Sequence, residues 1–295
     1  MKYSLTISIA IIIFILSGCG SGKLLTQKNT DAEAYYVAGN YTEALASFQD
    51  IISIYEQNNN SQECSVYTKA GESALNLNNS KLAIDYLKKA TYTRFAGEST
   101  YYNLAKAYET VDNLSLEIVA LTEYLELFPE GSRLLEVKTR LYYTYVESDN
   151  YEKALELWND VIESNPNDIS LLEANFGINK ALNNIDECNL VAELILSIDS
   201  DNILALTWFG KQYYRKAEDL YQKEMKAYNS KKTNKQYKIL LNALDIVTAD
   251  FKKSLKYFKV IYGINPTPEN ANYLSHIYGR LSDKKKSEYY KKLAN

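Results

Sequence analysis

Apolar residues recur along the chain at the three- and four-residue steps that are typical of amphipathic helices. Residues 39–48 read Gly-Asn-Tyr-Thr-Glu-Ala-Leu-x-x-Phe, and residues 149–158 read Asp-Asn-Tyr-Glu-Lys-Ala-Leu-x-x-Trp. In both segments a turn signal, Gly or Asp followed by Asn, stands directly before the apolar spacing begins. The pattern predicts a helix that begins at the Tyr, after a tight turn that closes an earlier helix.

The Ala of this pattern is the anchor of a repeat. Equivalent positions along the chain are Ala44, Ala83, Glu117, Ala154, Cys188, Ser254 and Ser287. Successive anchors are 39, 34, 37, 34, 66 and 33 residues apart, so two of the spacings contain insertions. The bulky Glu117 departs from the expected small residue, as does Tyr142 on the first helix of the fourth repeat. The register of the third and fifth repeats therefore stays open.

This series resembles the tetratricopeptide repeat (TPR), a helix-turn-helix family with a period of 34 residues. The resemblance spans about residues 30–295 and includes closing prolines at Pro129, Pro166 and Pro266. It implies an all-α fold, namely a right-handed α-solenoid of about seven TPR-like units. A small residue on each first helix is then expected to face the anchor on the second, so that the two backbones approach closely. The alternative is a generic helical bundle.

The sixth repeat is enlarged. Gly210 and its anchor Ser254 are 44 residues apart, whereas Gly71 and Ala83 of the second repeat are 12 apart. The sixth repeat thus has 32 more residues between these positions (44 − 12). Shared between two helices, these residues lengthen each helix by about 24 Å. The turn signal lies between Asn229 and Asn234, so a protruding, long antiparallel helical hairpin is expected. Steps of four and three predict a coiled-coil seam on its second arm: Tyr237, Leu241, Leu244, Thr248, Phe251, Leu255, Phe258 and Tyr262.

The start of the chain reads as a signal. Lys2 precedes an apolar stretch from Leu5 to Leu16, which is too short to span a bilayer comfortably. The sequence Leu16-Ser17-Gly18-Cys19 then resembles the lipobox of bacterial lipoproteins. The resemblance implies cleavage before Cys19, lipidation of Cys19 and residence in the bacterial cell envelope. Gly20 in place of Asp favours the outer membrane, on its periplasmic side.

These patterns predict five segments. They are the signal peptide (1–18), the lipidated Cys with a flexible tether (19–30), acidic TPR-like repeats (31–202), the enlarged repeat with its hairpin (203–266) and a terminal repeat (267–295).

Charge is distributed unevenly between these segments. Residues 203–295 hold 19 Lys and Arg against 8 Asp and Glu, whereas residues 1–202 hold 14 against 29. The hairpin surface is basic, and its candidate contact residues are Lys223, Lys226, Lys231, Lys232, Lys235 and Lys238. Three interpretations stay open. The hairpin binds an acidic protein or the acidic half of a second copy, it contacts anionic lipid headgroups, or it is a solvated surface. The expected compartment disfavours nucleic acid.

Catalytic chemistry has few candidates. The chain has one His, His276, and no catalytic constellation, so we expect no enzymatic activity, no cofactor and no metal site. Cys64 and Cys188 fall in different repeats. Because each repeat of a solenoid touches only its neighbours, both are expected to be free thiols.

The resemblance also implies a partner groove lined by the first helices. Carrying the family's groove positions over gives Tyr102, Lys106, Tyr143, Lys180, Lys211, Tyr214 and His276. Aromatic residues and lysines there suit a peptide with an acidic or C-terminal carboxylate group. The hypothesis is a lipid-anchored scaffold that binds other envelope proteins. The alternatives are a glycan- or peptidoglycan-binding lipoprotein, favoured if its many tyrosines are exposed and clustered, and an accessory subunit of an envelope enzyme.

Overall fold

The computed structural model describes the backbone of residues 18–295 and the side chains of residues 24–295. Within this part of the chain all regular structure is helical and no β-strand occurs, which confirms the all-α prediction. The fourteen α-helices are α1 (Gly18–Val37), α2 (Tyr41–Gln57), α3 (Tyr67–Asn76), α4 (Ser80–Thr91), α5 (Glu98–Glu109), α6 (Leu114–Leu127), α7 (Leu134–Glu147), α8 (Tyr151–Ser164), α9 (Ile169–Ala181), α10 (Ile185–Ile198), α11 (Ile203–Ser230), α12 (Asn234–Ile264), α13 (Pro268–Arg280) and α14 (Lys284–Ala294).

Consecutive helices pair into seven antiparallel hairpins, as the repeat pattern predicted. The chain divides into two compact units, residues 1–164 and 165–295. The pairs α1–α2, α3–α4, α5–α6 and α7–α8 form the N-terminal unit, and α9–α10, α11–α12 and α13–α14 form the C-terminal unit. Within the C-terminal unit, α10 also packs against α11.

A residue with a left-handed backbone stands at the turn of six hairpins. Its φ angle lies between 54° and 77°, and it always precedes the repeat's anchor by five residues. These residues are Gly39, Asn78, Asp112, Asp149, Asn183 and Ser282. Gly, Asn and Asp adopt this conformation at the lowest cost. The next residue often caps the second helix, as Asn79 does by accepting a hydrogen bond from the backbone N–H of Leu82. The turn signal in the sequence therefore has a direct physical cause.

The anchors mark the contact between the two helices of each hairpin. All six from Ala44 to Ser254 are fully buried. In the enlarged repeat, the Ser254 hydroxyl donates to the backbone carbonyl of Gly210 at 2.9 Å. Ser275 and Ser287 of the last repeat donate to each other's backbone carbonyls, both at 2.9 Å. Burial of Glu117 and Cys188 fixes the register of the third and fifth repeats.

Gly71 provides the closest approach among these hairpins, because a Cβ atom there would lie 2.5 Å from Leu87 Cγ. We expect Gly71→Ala to destabilise the protein by about 1–3 kcal/mol through overpacking. Gly177→Ala is the matched control, since a Cβ on this helical glycine meets no atom within 4 Å. It should be neutral or stabilising by about 0.5–1 kcal/mol. Urea denaturation midpoints of the two full-length variants check this, and equal midpoints would contradict the close contact.

Glu117 takes the place of a small anchor and is fully buried. Its carboxylate accepts two hydrogen bonds from the Arg140 guanidinium, at 2.5 and 3.1 Å, and one from the Thr144 hydroxyl at 3.1 Å. Arg140 also contacts Glu109 and Glu147. The hydrogen bond to Glu117 is the main cause that raises the pKa of Arg140. Two charged residues from consecutive repeats thus replace the small-residue contact.

The long hairpin, α11 with α12, is confirmed. Its helices have 28 and 31 residues, or about 42 and 46 Å at 1.5 Å per residue. The other helices have between 10 and 20 residues. Residues 231–233 connect the two arms, inside the predicted turn, and the Thr233 hydroxyl caps α12 by accepting from the Gln236 backbone N–H.

The seam predicted on α12 is wrong in its outer half, where Tyr237, Leu241 and Thr248 are exposed. The buried positions of this helix are Leu240, Ala243, Val247, Asp250, Phe251, Ser254, Phe258 and Ile261. Two of these buried residues, Asp250 and Ser254, are polar, so a pattern of apolar residues does not include them. Phe251 and Phe258 are buried as predicted, and Phe258 stacks on Tyr273 of α13 at 4.3 Å between ring centroids.

The region expected to be a flexible tether has a different structure. Residues 18–37 form one helix, α1, in which Ala32 is fully buried and Lys28 forms an ion pair with Asp50 of α2 at 2.8 Å. No Gly or Pro interrupts the chain between residues 23 and 37, and packing against α2 accounts for the helix. The signal peptide up to residue 17 and the side chain of Cys19 lie outside the described residues. None of the helices within residues 18–295 has the length and apolarity to cross a membrane.

Candidate functional site

The sequence-predicted groove residues divide among three places. Tyr102, Lys106 and Tyr143 meet in the N-terminal groove, a cavity of about 530 Å³ between α5 and α7. Lys180 and Lys211 meet in the C-terminal groove, a cavity of about 510 Å³ between α9, α11 and α13. Tyr214 and His276 meet in a third cavity, of about 570 Å³, between α11, α13 and α14.

The N-terminal groove contains more charged residues than the sequence suggested. Glu109, Glu136 and Arg140 line it beside the predicted residues. The Tyr102 hydroxyl donates to Glu136 at 2.6 Å, and burial together with this bond raises the pKa of Tyr102 to about 12. The two cations of this groove are Lys106 and Arg140. Arg140 forms ion pairs with three carboxylates, whereas Lys106 forms none with any described residue. This groove is therefore poorly suited to an additional carboxylate.

The C-terminal groove combines cations with aromatic walls. Phe176 and Trp208 meet edge to face at 5.2 Å between ring centroids, and Tyr273 of α13 also lines the cavity. Trp208 is fixed by the hydrogen bond that its indole N–H donates to Asn189 at 2.9 Å. Phe176 and Trp208 are 3% and 9% exposed, so they form the rigid floor of the cavity, and the half-buried Tyr273 is the ring that a partner side chain can reach.

Two cations of this groove have no acidic partner. Lys211 forms an ion pair with Glu269 at 2.9 Å and lies 5.5 Å from the ring centroid of Tyr273. Lys180 and Arg215, both exposed, have no ion pair among the described residues. Arg215 was not among the predicted groove residues. It lies four residues after Lys211, and this spacing places both side chains on one face of α11.

The third cavity contains the single histidine. The Tyr214 hydroxyl and His276 Nδ1 are 3.2 Å apart, and the direction of the hydrogen bond depends on the imidazole tautomer. Arg280 forms an ion pair with Glu218 on the same side of α11, and burial is the main cause that raises the pKa of Tyr214. His276 is exposed and has a tyrosine for its partner, which is the environment of a surface side chain.

The hairpin lysines lie around the tip of the long hairpin and are all exposed. Lys223 is 3.9 Å from the Glu224 carboxylate. The other five, Lys226, Lys231, Lys232, Lys235 and Lys238, form no ion pair with any described residue.

Cys64 and Cys188 are both free, as predicted, and both are buried. Burial is the main cause that raises the pKa of each thiol, so both are weak nucleophiles at neutral pH. Cys188 contacts the backbone carbonyl of Phe176 across the α9–α10 contact, 3.9 Å from Sγ to O. Among the described side chains no group of three His, Cys, Asp or Glu is placed to bind a metal ion.

Paired helices, small-residue contacts and grooves along the first helices define a TPR-like helical solenoid. The structure of the C-terminal part of a TPR repeat-containing protein from Cytophaga hutchinsonii is similar, with a TM-score of 0.54, 13% identity and coverage of 90% of this chain and 93% of that one. YrrB, described as a TPR protein with an unusual peptide-binding site, has a TM-score of 0.50 at 18% identity, covering 60% of this chain and 87% of its own. No protein-family model and no curated protein sequence matches the chain. At these identities the likeness concerns the fold.

Proposed function

We propose that the protein is a lipid-anchored scaffold of the bacterial cell envelope that binds a segment of another envelope protein in its C-terminal groove. The observation that carries the proposal is the pair of unpaired cations, Lys180 and Arg215, beside the rings of Trp208 and Tyr273. A carboxylate of the partner binds the cations, and an adjacent apolar side chain packs against the half-buried ring of Tyr273. The peptide-binding site described for YrrB supports this use of the fold.

The lipid anchor is proposed from the lipobox at Cys19, and it would hold the scaffold at the outer membrane. Binding of a partner segment requires no catalysis, so the proposed role includes no enzymatic activity and no cofactor.

The glycan-binding alternative gains no support from the tyrosines. Among the described tyrosines only Tyr35, Tyr92, Tyr237 and Tyr289 are exposed, and they lie in four different elements of the chain. Tyr67, Tyr124 and Tyr142 are fully buried in helix contacts. Packing therefore accounts for much of the tyrosine content, and no exposed tyrosine cluster offers a platform for a sugar ring.

Crosslinking of the tagged, full-length protein in its native membrane, with mass spectrometry of captured proteins, tests the groove. We expect one stoichiometric envelope protein, and its capture should fall about tenfold or more in the Lys180→Glu, Arg215→Glu double variant, because each reversed charge repels the bound carboxylate. Lys252→Glu with Lys256→Glu is the matched control, since both lysines are exposed on α12 outside the groove.

Equal capture by the groove variant and the control would contradict the proposed groove. Binding of the purified protein to peptidoglycan, with no protein captured, would contradict the scaffold and favour the glycan alternative.

A further inference from the structure

The outer half of the long hairpin presents apolar side chains to solvent. Tyr237, Ile239, Leu241 and Ile246 of α12 are between 42 and 51% exposed. Tyr237 and Leu241 lie on one flank of the buried stripe, and Ile239 and Ile246 lie on the other. The shorter helices α13 and α14 cover the inner half, where Tyr273 stacks on Phe258 and Tyr290 packs edge to face with Tyr262. Exposed apolar side chains on both flanks of one helix segment mark an interaction surface more often than isolated ones do, and the row of Tyr237 and Leu241 is the flank used below.

The same half of the hairpin carries charge of one sign. Residues 225–244 contain five Lys and no Asp or Glu, and none of these lysines has an ion-pair partner among the described residues. Three lysines of the N-terminal unit do form ion pairs, Lys28 with Asp50 of its own hairpin, and Lys69 and Lys89 with Glu33 and Glu56 of the preceding hairpin. The hairpin therefore matches a partner that offers apolar side chains edged by acidic ones.

Helix α10 has these properties. Leu190, Leu194 and Ile198 follow one another at four-residue steps along one side of the helix and are between 37 and 59% exposed. Residues 185–202 contain five Asp and Glu and no Lys or Arg. Asp186, Glu187 and Glu193 are exposed and form no ion pair with described residues. We call this surface the acidic ridge.

We propose that the protein associates with itself by docking the long hairpin of one copy on the acidic ridge of a second copy. Both surfaces are exposed in the part of the chain that the structure describes, so neither covers the other within one molecule. Residues 225–244 and 185–202 carry formal charges of +5 and −5, which attract each other between copies. Pairing of two hairpins is disfavoured, since it would bring like charges together.

The spacing of the side chains fits helix-on-helix packing. Tyr237, Leu241 and Leu244 on α12 follow steps of four and three, and the ridge residues follow steps of four. Such rows interdigitate as ridges into grooves. The contact joins two different surfaces, so it forms a reciprocal pair or a ring where the rotation between copies closes, and an open filament where it does not. This contact between copies does not depend on partner binding in the C-terminal groove. The proposed self-association would therefore still hold if the groove bound no partner.

Charge reversal on either surface tests the docking. Two differently tagged, full-length copies are expressed together, extracted from the membrane and co-purified. Wild-type copies should co-purify. Lys231→Glu, Lys235→Glu, Lys238→Glu in both copies should reduce co-purification about tenfold or more, because the reversed tip repels the ridge. Asp186→Lys, Glu187→Lys, Glu193→Lys in both copies should reduce it to a similar degree.

The decisive sample combines one copy of each triple variant. Each reversed surface then faces its reversed partner, so co-purification should return to near the wild-type level, and its return also shows that both variants fold. Failure of the mixed pair to associate while each variant melts like the wild type would overturn the proposal. So would wild-type copies that never co-purify but bind vesicles containing phosphatidylglycerol through the same lysines, since the hairpin would then bind lipid headgroups.

Discussion

Replacing Arg140 with Met is expected to destabilise the protein by about 3–5 kcal/mol, because it leaves the charge of Glu117 buried without its partner. Glu117 is fully buried, and Thr144 alone cannot offset the loss of the two guanidinium hydrogen bonds. Arg133→Met is the matched control. Arg133 pairs with Glu136 at 2.9 Å, but both side chains are about half exposed, so its loss should cost less than about 1 kcal/mol.

A second substitution separates a charge effect from a packing effect. Adding Glu117→Ala to the Arg140→Met variant removes the buried charge and restores the small residue found at most other anchors. We expect the double variant to recover at least half of the lost stability, despite the cavity that Ala leaves. Urea denaturation followed by circular dichroism measures all four proteins. A double variant less stable than Arg140→Met alone would show that Glu117 acts through packing.

Substitution of Cys19 with Ala is expected to abolish fatty-acid attachment completely. Cells are grown with an alkyne-bearing palmitate analogue, and the tagged protein is purified under denaturing conditions before the label is read. Attachment of several acyl chains gives stable anchoring, since each buried methylene contributes about 0.8 kcal/mol. The label is a sharper measure than membrane fractionation, because an uncleaved apolar signal can itself hold the protein at the membrane.

Cys64→Ala and Cys188→Ala are the controls for this labelling. Both thiols are buried, and burial raises their pKa, so neither is expected to be acylated. Each control should keep the full label. A wild-type protein without label, or a Cys19→Ala variant that keeps it, would contradict the proposed anchor.

The sequence predicted most of the fold because the decisive residues are local. An Asn, Asp or Gly at the turn and a small residue five positions later determine where each hairpin closes, and both are visible in the sequence. The outer seam of α12 was missed because the helix offers two apolar rows there, and the buried row of Leu240, Ala243 and Val247 is offset by one residue from the predicted row. Farther along, Asp250 and Ser254 are buried beside partners on α11, namely Lys216 and the Gly210 carbonyl, which no periodicity reveals.

The groove was harder to predict for a related reason. Consensus positions identified residues that line the cavities, but a cation's availability depends on neighbours from other repeats. Arg140 is neutralised by carboxylates on three helices, whereas Arg215 forms no ion pair with any described residue. A charge at an anchor, as at Glu117, is the one sequence signal that could have indicated a compensating Arg on the next repeat.

The order in which the hairpins can form follows from their contacts. Helices with extensive contacts are adjacent or next but one in the chain, so contact order is low and folding is expected to be fast. Most hairpins are complete once a short stretch of chain has emerged from the ribosome or a translocation pore. The long hairpin must wait until residues 203–264 have all emerged. Its first arm, with one polar and one apolar face, is therefore the segment most exposed to chaperones or to premature association during synthesis.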